Sequence, residues 1–280
     1  MYYIQEVDKP NFLERLFNII KLDDNKILIP IKEKDEIDKE KDSRISLKIV
    51  KLLNRGNCKK VVISKELKKH KEFINILQSN DVNIVDGKWL AEVLMEKMIQ
   101  YIIDKKDINP NEDKISILIN DLTEISLENI KNILMKYKKV NIVTNHIEKF
   151  KRLEEEFEEN GVILQISNNK RKSLAKSKII LNVDFPKELL NKYNIYDEAI
   201  IINIKTEANI TKKRFNGIVI KDYQIVFNKL DGIEENLDLY DKKDIYQAKL
   251  YRREPYKSIM EQIEKDKVKI SELLGSNTKI

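Results

Sequence analysis

Between residues 114 and 207 the chain repeats one unit, a short apolar run followed by a charged run with helical spacing. The apolar runs occupy 115–119, 140–144, 162–167, 179–183 and 199–204, and each is rich in Ile and Val. Near-continuous apolar character of this kind belongs to strands buried on both faces, as in a parallel sheet covered by helices. Helix-like segments lie between them at 126–137, 146–160, briefly near 170–176, and at 186–193. The alternation predicts a doubly wound α/β domain. Such sheets bind ligands beyond the carboxyl ends of their strands. In this chain those ends read Asn120-Asp121, Thr144-Asn145-His146, Asn168-Asn169, Asp184 and Thr206.

A length of 280 residues admits one large or two ordinary domains. The 53 Lys and Arg residues are interspersed with 47 Asp and Glu residues, which reads as a solvated surface more than as a nucleic-acid footprint. Abundant Lys, Ile and Asn also point to an AT-rich genome. Cys58 is the single cysteine, so an internal disulfide and a cysteine-based zinc site are excluded. His70 and His146 lie far apart in sequence and form no ligand pair. No apolar run approaches the ~20 residues of a membrane span, and residues 1–9 lack the pattern of a secretory signal. A cytoplasmic protein is expected.

Ahead of the repeat, Phe12, Leu13, Leu16, Phe17, Ile19 and Ile20 predict a helix starting near Pro10-Asn11. Strands are expected at 26–31, 60–64 and 82–86, making a small three-stranded sheet. Helices are expected at 45–54, capped by Ser43 and ended by Gly56, and at 68–79. Residues 32–42, with alternating charge, read as an exposed loop. A long amphipathic helix is predicted over 89–104. The pattern breaks at 104–113 around Asn109-Pro110-Asn111, where a domain boundary is placed. After 204, segments 217–220 and 223–227 read as two β segments joined around Lys221-Asp222, and 231–244 reads as a loop. Residues 255–274 read as one or two helices, started by Pro255 and stopped by Gly275. The expected organisation is 1–108, a small α/β domain with a linking helix; 109–245, the doubly wound domain; and 246–280, a helical segment that could return to the N-terminal domain.

A nucleotide-binding sheet of this kind needs glycines after its first strand, so that backbone can approach a pyrophosphate seated on a helix N-terminus. The corresponding stretch is Asn120-Asp121-Leu122-Thr123-Glu124-Ile125-Ser126, without glycine and with two carboxylates. The chain's six glycines stand too far apart for G-x-G or a P-loop. Thr123 and Ser126 read as a helix cap. A general base at His146 competes with a cap or surface role, and Cys58 reads as an inert thiol more readily than as a nucleophile. The acidic run 154–159 reads as a solvated helix face. The basic turn 168–172 could take a phosphate or be an exposed turn. Trp89 reads as a packing anchor. The bases and tyrosines of 246–256 permit either nucleic-acid contact or an ordinary surface.

The strand-end sequence Val143-Thr144-Asn145-His146 resembles the "NRT" turn of the shikimate dehydrogenase and glutamyl-tRNA reductase type of Rossmann domain. Asn145 falls on the Asn, while His146 and Ile147 depart from the Arg and Thr. The run from Ser177 to Val183 resembles the "aDlvIN" strand of the same enzymes, with Asn182 on its Asn. The layout is also similar: a small α/β domain, a linking helix, a Rossmann domain and a returning helix. The resemblance implies NAD(P) near Asn120, Thr144, Asn145, His146 and Asn182. The catalytic Lys of the family's "NVTxPxK" stretch and the Asp of its "GxNTD" stretch have no counterpart. The segment from Leu28 to Lys32 is the nearest approach to the first.

The fold class expected is therefore α/β, a small N-terminal α/β domain plus a Rossmann-like doubly wound, mainly parallel sheet domain. The leading functional expectation is a non-catalytic or degenerate Rossmann-like protein, without cofactor, that acts as a binding or assembly component. The alternative is an NAD(P)-dependent oxidoreductase of the shikimate-dehydrogenase-like group with an altered phosphate loop, and a weaker one is a nucleic-acid-binding protein. No catalytic or metal-ligating residue is assigned. A homo-oligomer or a protein partner fits the sequence, a membrane does not, and nucleic acid is disfavoured.

Overall fold

The computed structural model describes residues 1–7, 9–31, 38–159, 164–228, 237–250, 254–275 and 278–280. In chain order the first elements are β1 (Tyr2–Glu6), α1 (Phe12–Phe17), β2 (Lys21–Asp23), β3 (Lys26–Ile29), α2 (Lys39–Arg55), β4 (Lys60–Ile63), α3 (Lys71–Ser79) and β5 (Asn83–Val85). Next come α4 (Lys88–Val93), α5 (Met95–Lys105), β6 (Lys114–Leu118), α6 (Glu124–Lys136), β7 (Val140–Val143), α7 (Lys151–Glu159) and β8 (Gln165–Ser167). The chain continues through β9 (Ser177–Asn182), α8 (Lys187–Leu190), β10 (Ile200–Asn203), β11 (Ile218–Val226), α9 (Lys242–Lys249), α10 (Tyr256–Lys265) and β12 (Lys269–Gly275).

Two compact units result. One comprises Met1–Gly87 with Lys229–Arg252, the other Lys88–Asn228 with Arg253–Ile280. The first unit holds a five-stranded sheet of order β2-β3-β1-β4-β5, parallel except for the β2–β3 hairpin. Side chains alternate across it. Ile4, Ile27, Ile29, Val61 and Ile63 meet α2 and α3 in a core with Ile45, Ile49, Leu53, Phe73 and Leu77. On the other face Val62 and Val85 meet Tyr240, Ile245 and Ala248 around α9. Each such fully buried aliphatic side chain contributes roughly 1.5–3 kcal/mol. Tyr240 also donates from its hydroxyl to Gln5 Oε1 at 2.8 Å, and its ring meets Tyr3 edge-on at 5.5 Å. Lys68 bridges Asp241 and Asp244, pinning the start of α9.

The second unit holds a seven-stranded sheet of order β12-β11-β10-β9-β6-β7-β8. Counted from β6 as the first strand, this is the 3-2-1-4-5-6 order of dinucleotide-binding domains with one strand added at the far edge. All pairings are parallel except β11 with β12. The central strands are buried on both faces, as their continuous Ile and Val content requires. This is the expected α/β, Rossmann-like doubly wound architecture.

Several elements differ from the sequence reading. The N-terminal sheet has five strands, because Tyr2–Glu6 forms its central strand and Lys21–Asp23 an edge. Neither segment carries the Ile and Val run that marks the other strands. Helix α2 begins upstream of Ser43, within the charged run, because Asp38 caps it by accepting from Glu40 N and Lys41 N. Leu94 separates α4 from α5, where one helix was expected. Part of the expected loop 231–244 is helix, since α9 begins at Lys242. Segments 217–220 and 223–227 belong to a single strand, β11, with a register irregularity between Ile220 and Asp222. Residues 269–275, expected as helix, form β12 and extend the second sheet antiparallel to β11, so this part of the chain does not pack back as a helix. Residues 88–108 group with the second unit, and the division falls at Gly87 and Lys88. Residues 32–37, 160–163, 229–236 and 251–253, which include the approach to "NVTxPxK" at Lys32, the start of the expected strand 162–167 and part of the basic–aromatic stretch, lie outside the described residues.

Candidate functional site

The site to test is the carboxyl edge of the second sheet, where β6, β7 and β9 end together. Leu118 pairs with Val143 on one side and Asn182 on the other. The ladder continues past the named strands, with Ile119 N donating to Val143 O and Val183 N donating to Leu118 O. Asn120-Asp121, Asn145-His146 and Asp184 therefore emerge at one edge.

Helix α6 starts directly beyond β6, where a pyrophosphate would sit in a dinucleotide-binding domain. The chain supplies its own side-chain cap at this helix end. Thr123 Oγ1 accepts from Ser126 N at 3.1 Å, and Ser126 Oγ accepts from Thr123 N at 2.8 Å, a reciprocal cap. Thr123 also donates its hydroxyl to Glu92 Oε1. Glu92 is buried on α4 and pairs with Lys205 beyond β10 at 2.8 Å. Asn129, one turn into α6, donates to Glu92 O at 3.0 Å and so holds the same corner.

The loop between β6 and α6 is likewise closed from within. Asp184, beyond β9, accepts from Asn120 N on both carboxylate oxygens at 2.9 and 3.0 Å, and from Asp121 N at 2.9 Å. These N–H groups belong to the loop that leads to the α6 N-terminus, along which a pyrophosphate would lie. Burial raises the Asp184 carboxyl above its usual range, opposed by the two backbone donors. Asp121 is exposed, and the Lys149 ammonium at 2.7 Å holds it below its usual range. Of the three carboxylates around the position of a pyrophosphate, Glu92 and Asp121 are balanced by Lys205 and Lys149, and Asp184 is the one that faces the loop's backbone donors. One phosphate charge ~5 Å from one carboxylate costs about 3 kcal/mol at an effective dielectric of ~20.

The structure gathers four of the five sequence candidates. Asn145 N donates to Asn120 Oδ1 at 3.0 Å, and His146 N donates to Thr144 Oγ1 at 3.1 Å, so the β7 turn closes on the β6 end. Thr144 is buried, whereas Asn145 and His146 are exposed. Asn182 differs. It is fully buried, donates to Phe185 O, Asn203 Oδ1 and Thr206 Oγ1, and accepts from Phe185 N. Its amide is committed to fixing the turn after β9. Sequence reading missed Glu92 and Lys205 and gave Asp184 no role. One signal was available: Glu92 interrupts an apolar run from Leu90 to Leu94.

Among the described residues no group of His, Cys, Asp and Glu is arranged to hold a metal ion, and no helix is long and apolar enough to cross a membrane. Cys58 is half-buried, its Sγ 3.9 Å from Lys60 O.

No protein-family model matches the chain. Protein PFC0760c of Plasmodium falciparum is 28% identical over 196 residues, covering 70% of this chain. The match spans only 5% of that protein's length. Among solved structures, L-tryptophan dehydrogenase from Nostoc punctiforme is similar at 10% identity and a TM-score of 0.36, covering 70% of this chain and 58% of that one. Ornithine carbamoyltransferase from Pyrococcus furiosus is similar at 10% identity and 0.33, covering 78% of each chain. A shikimate 5-dehydrogenase-like protein is similar at 13% identity and 0.26, covering 72% and 76%. The strand order and pairing above define the fold of this chain.

Proposed function

We propose that the second unit is a Rossmann-like scaffold whose phosphate position is closed by its own carboxylates, and that the protein acts as a binding or assembly component without dinucleotide chemistry. The observation that carries this is the Asp184 carboxylate on the backbone N–H groups of Asn120 and Asp121. A dinucleotide would have to displace a ligand that is already part of the chain, and would gain no glycine-lined approach in return. Buried Glu92, paired with Lys205, braces the α6 cap through the Thr123 hydroxyl.

Calorimetric titration with NAD, NADH, NADP and NADPH tests the reading. No heat of binding is expected at millimolar nucleotide. A dissociation constant below about 10 μM, near −7 kcal/mol, would reject it. That result would restore the NAD(P)-dependent oxidoreductase reading and direct attention to Asn120, Asn145 and His146, the candidates at the open edge.

A further inference from the structure

The first unit turns an apolar helix face outward. In α1 the polar Glu14 is the buried residue, where it closes the capping box with Asn11 and pairs with Lys21 at 2.5 Å. The apolar residues point the other way. Phe12 is 76% exposed, Leu13 57%, Leu16 59% and Phe17 61%, and the following Ile19 and Leu22 are 43% and 52% exposed. Spacings of one, four and five residues put Phe12, Leu13, Leu16 and Phe17 on one helix face. This face is held in place. Lys48 of α2 donates to Phe17 O at 2.8 Å and Asn18 O at 3.0 Å, and the Glu14–Lys21 pair ties α1 to β2. With roughly 200 Å² for a large side chain, these residues present about 700 Å², more than the ~300–600 Å² patch of a typical monomer.

Strand β2 is the edge of the same sheet, and all its residues are exposed. It pairs with β3 through Lys21↔Leu28, Leu22↔Ile27 and Asp23↔Lys26, across a two-residue turn in which Asp24 has φ 47°. In such a hairpin the pair flanking the turn is hydrogen-bonded and the next is not. The N–H and C=O of Leu22 consequently point away from β3. An antiparallel partner centred on Leu22 would receive both bonds. If that partner were β2 itself, Leu22 would face Leu22 and each Lys21 would face Asp23, so the sequence Lys-Leu-Asp is complementary to its own reverse in shape and charge.

We propose that β2 and the apolar face of α1 form the two-fold interface of a homodimer, with β2 pairing antiparallel to its own copy about Leu22. Two copies offer up to about 1,400 Å² of apolar surface for burial, which reaches the ~1,200–2,000 Å² of stable interfaces. The edge pairing fixes the register, and the α1 faces supply the apolar burial. Every residue of this interface belongs to the first unit.

Sedimentation velocity of the full chain across a concentration series tests it, together with a register-specific cross-link. The variant L22C/C58S should form a covalent dimer with a short bifunctional thiol reagent, because opposed Cα atoms in a hydrogen-bonded antiparallel pair lie ~5.5 Å apart. Moving the cysteine to Asn25 (N25C/C58S) should give no such product. Asp23→Lys sets Lys21 against a second lysine and should weaken dimerisation at least tenfold, as should Leu16→Glu, with the circular dichroism spectrum and melting cooperativity of both unchanged. A wild-type chain that stays monomeric at high concentration overturns the proposal. So does a dimer that keeps its affinity in D23K and does not cross-link through residue 22, since its interface would then lie elsewhere.

Discussion

Asp184 accepts the backbone N–H of Asn120 on both of its carboxylate oxygens, at 2.9 and 3.0 Å. The bond joins the ends of β9 and β6, the adjacent strands from which the connections diverge in opposite directions. In a dinucleotide-binding domain this is the crevice left open for ligand. Here a side chain of the protein accepts from two backbone N–H groups at that crevice.

Removing that side chain should cost stability. Asp184→Ala leaves the N–H groups of Asn120 and Asp121 without their acceptor, about 1 kcal/mol in this half-exposed loop, readable as a lower midpoint in urea at unchanged slope. Asp184→Asn keeps one acceptor oxygen and should cost less. Because burial raises the folded-state pKa of Asp184, its contribution is fully present below the usual carboxylate range near ~4 and declines as pH rises through the raised value. Asp184→Asn should flatten that part of the pH–stability curve. Equal curves for the variant and the wild type would sink the assignment.

A second pH dependence comes from the first unit. Asp244 on α9 is fully buried, and desolvation pushes its carboxyl up to about 6 against the opposing pull of Lys68. The folded state then holds a proton that the unfolded chain has released between pH ~4 and about 6. Stability should fall by about 1–3 kcal/mol as pH rises through that window. Asp241, which shares Lys68, is lowered overall by that partner despite its own burial, and acts in the opposite sense at lower pH. Chemical denaturation of Asp244→Asn from pH 4 to 7 should lack most of the wild-type decline.

Gly217 marks a close approach of backbone to backbone before β11. A Cβ there would meet Ala199 O at 2.1 Å and the Phe215 ring at 2.7 Å, beside the bond from Ile218 N to Ala199 O. The carbonyl cannot yield without losing the first parallel bond between β10 and β11. Gly217→Ala should therefore cost about 3 kcal/mol or more, seen as a depressed melting temperature, whereas Gly56→Ala, where the nearest atom is the mobile end of Tyr2 at 3.1 Å, should cost much less.

The second sheet was legible in the sequence because its strands β6, β7, β9 and β10 are covered on both faces. Burial on both faces leaves no room for alternation, and the Ile and Val runs mark the strands directly. The vacant glycine pattern after β6 was equally plain, as was the capping role of Thr123 and Ser126. The carboxyl edge followed from the alternation, and Asn120, Thr144, Asn145 and His146 do meet there.

What the sequence left open depended on distant partners. Tyr2–Glu6 has no apolar run of its own, yet it lies between β3 and β4 because Ile4 faces the α2–α3 core while Tyr3 and Gln5 meet Tyr240, more than two hundred residues away. Residues 269–275 satisfy a helical period, and only the unpaired edge of β11 makes them a strand. Helix α9 is too polar to announce itself, because its buried Asp244 is compensated by Lys68 from the other end of the chain. Asp184 and Glu92 are ordinary acids in sequence. Local patterning, set by the spacing of apolar residues, determined which segments are strands and helices of the central sheet. Tertiary structure alone decided which donors remained free, because a hydrogen bond between Asp184 and Asn120 exists only once two strands have been brought side by side.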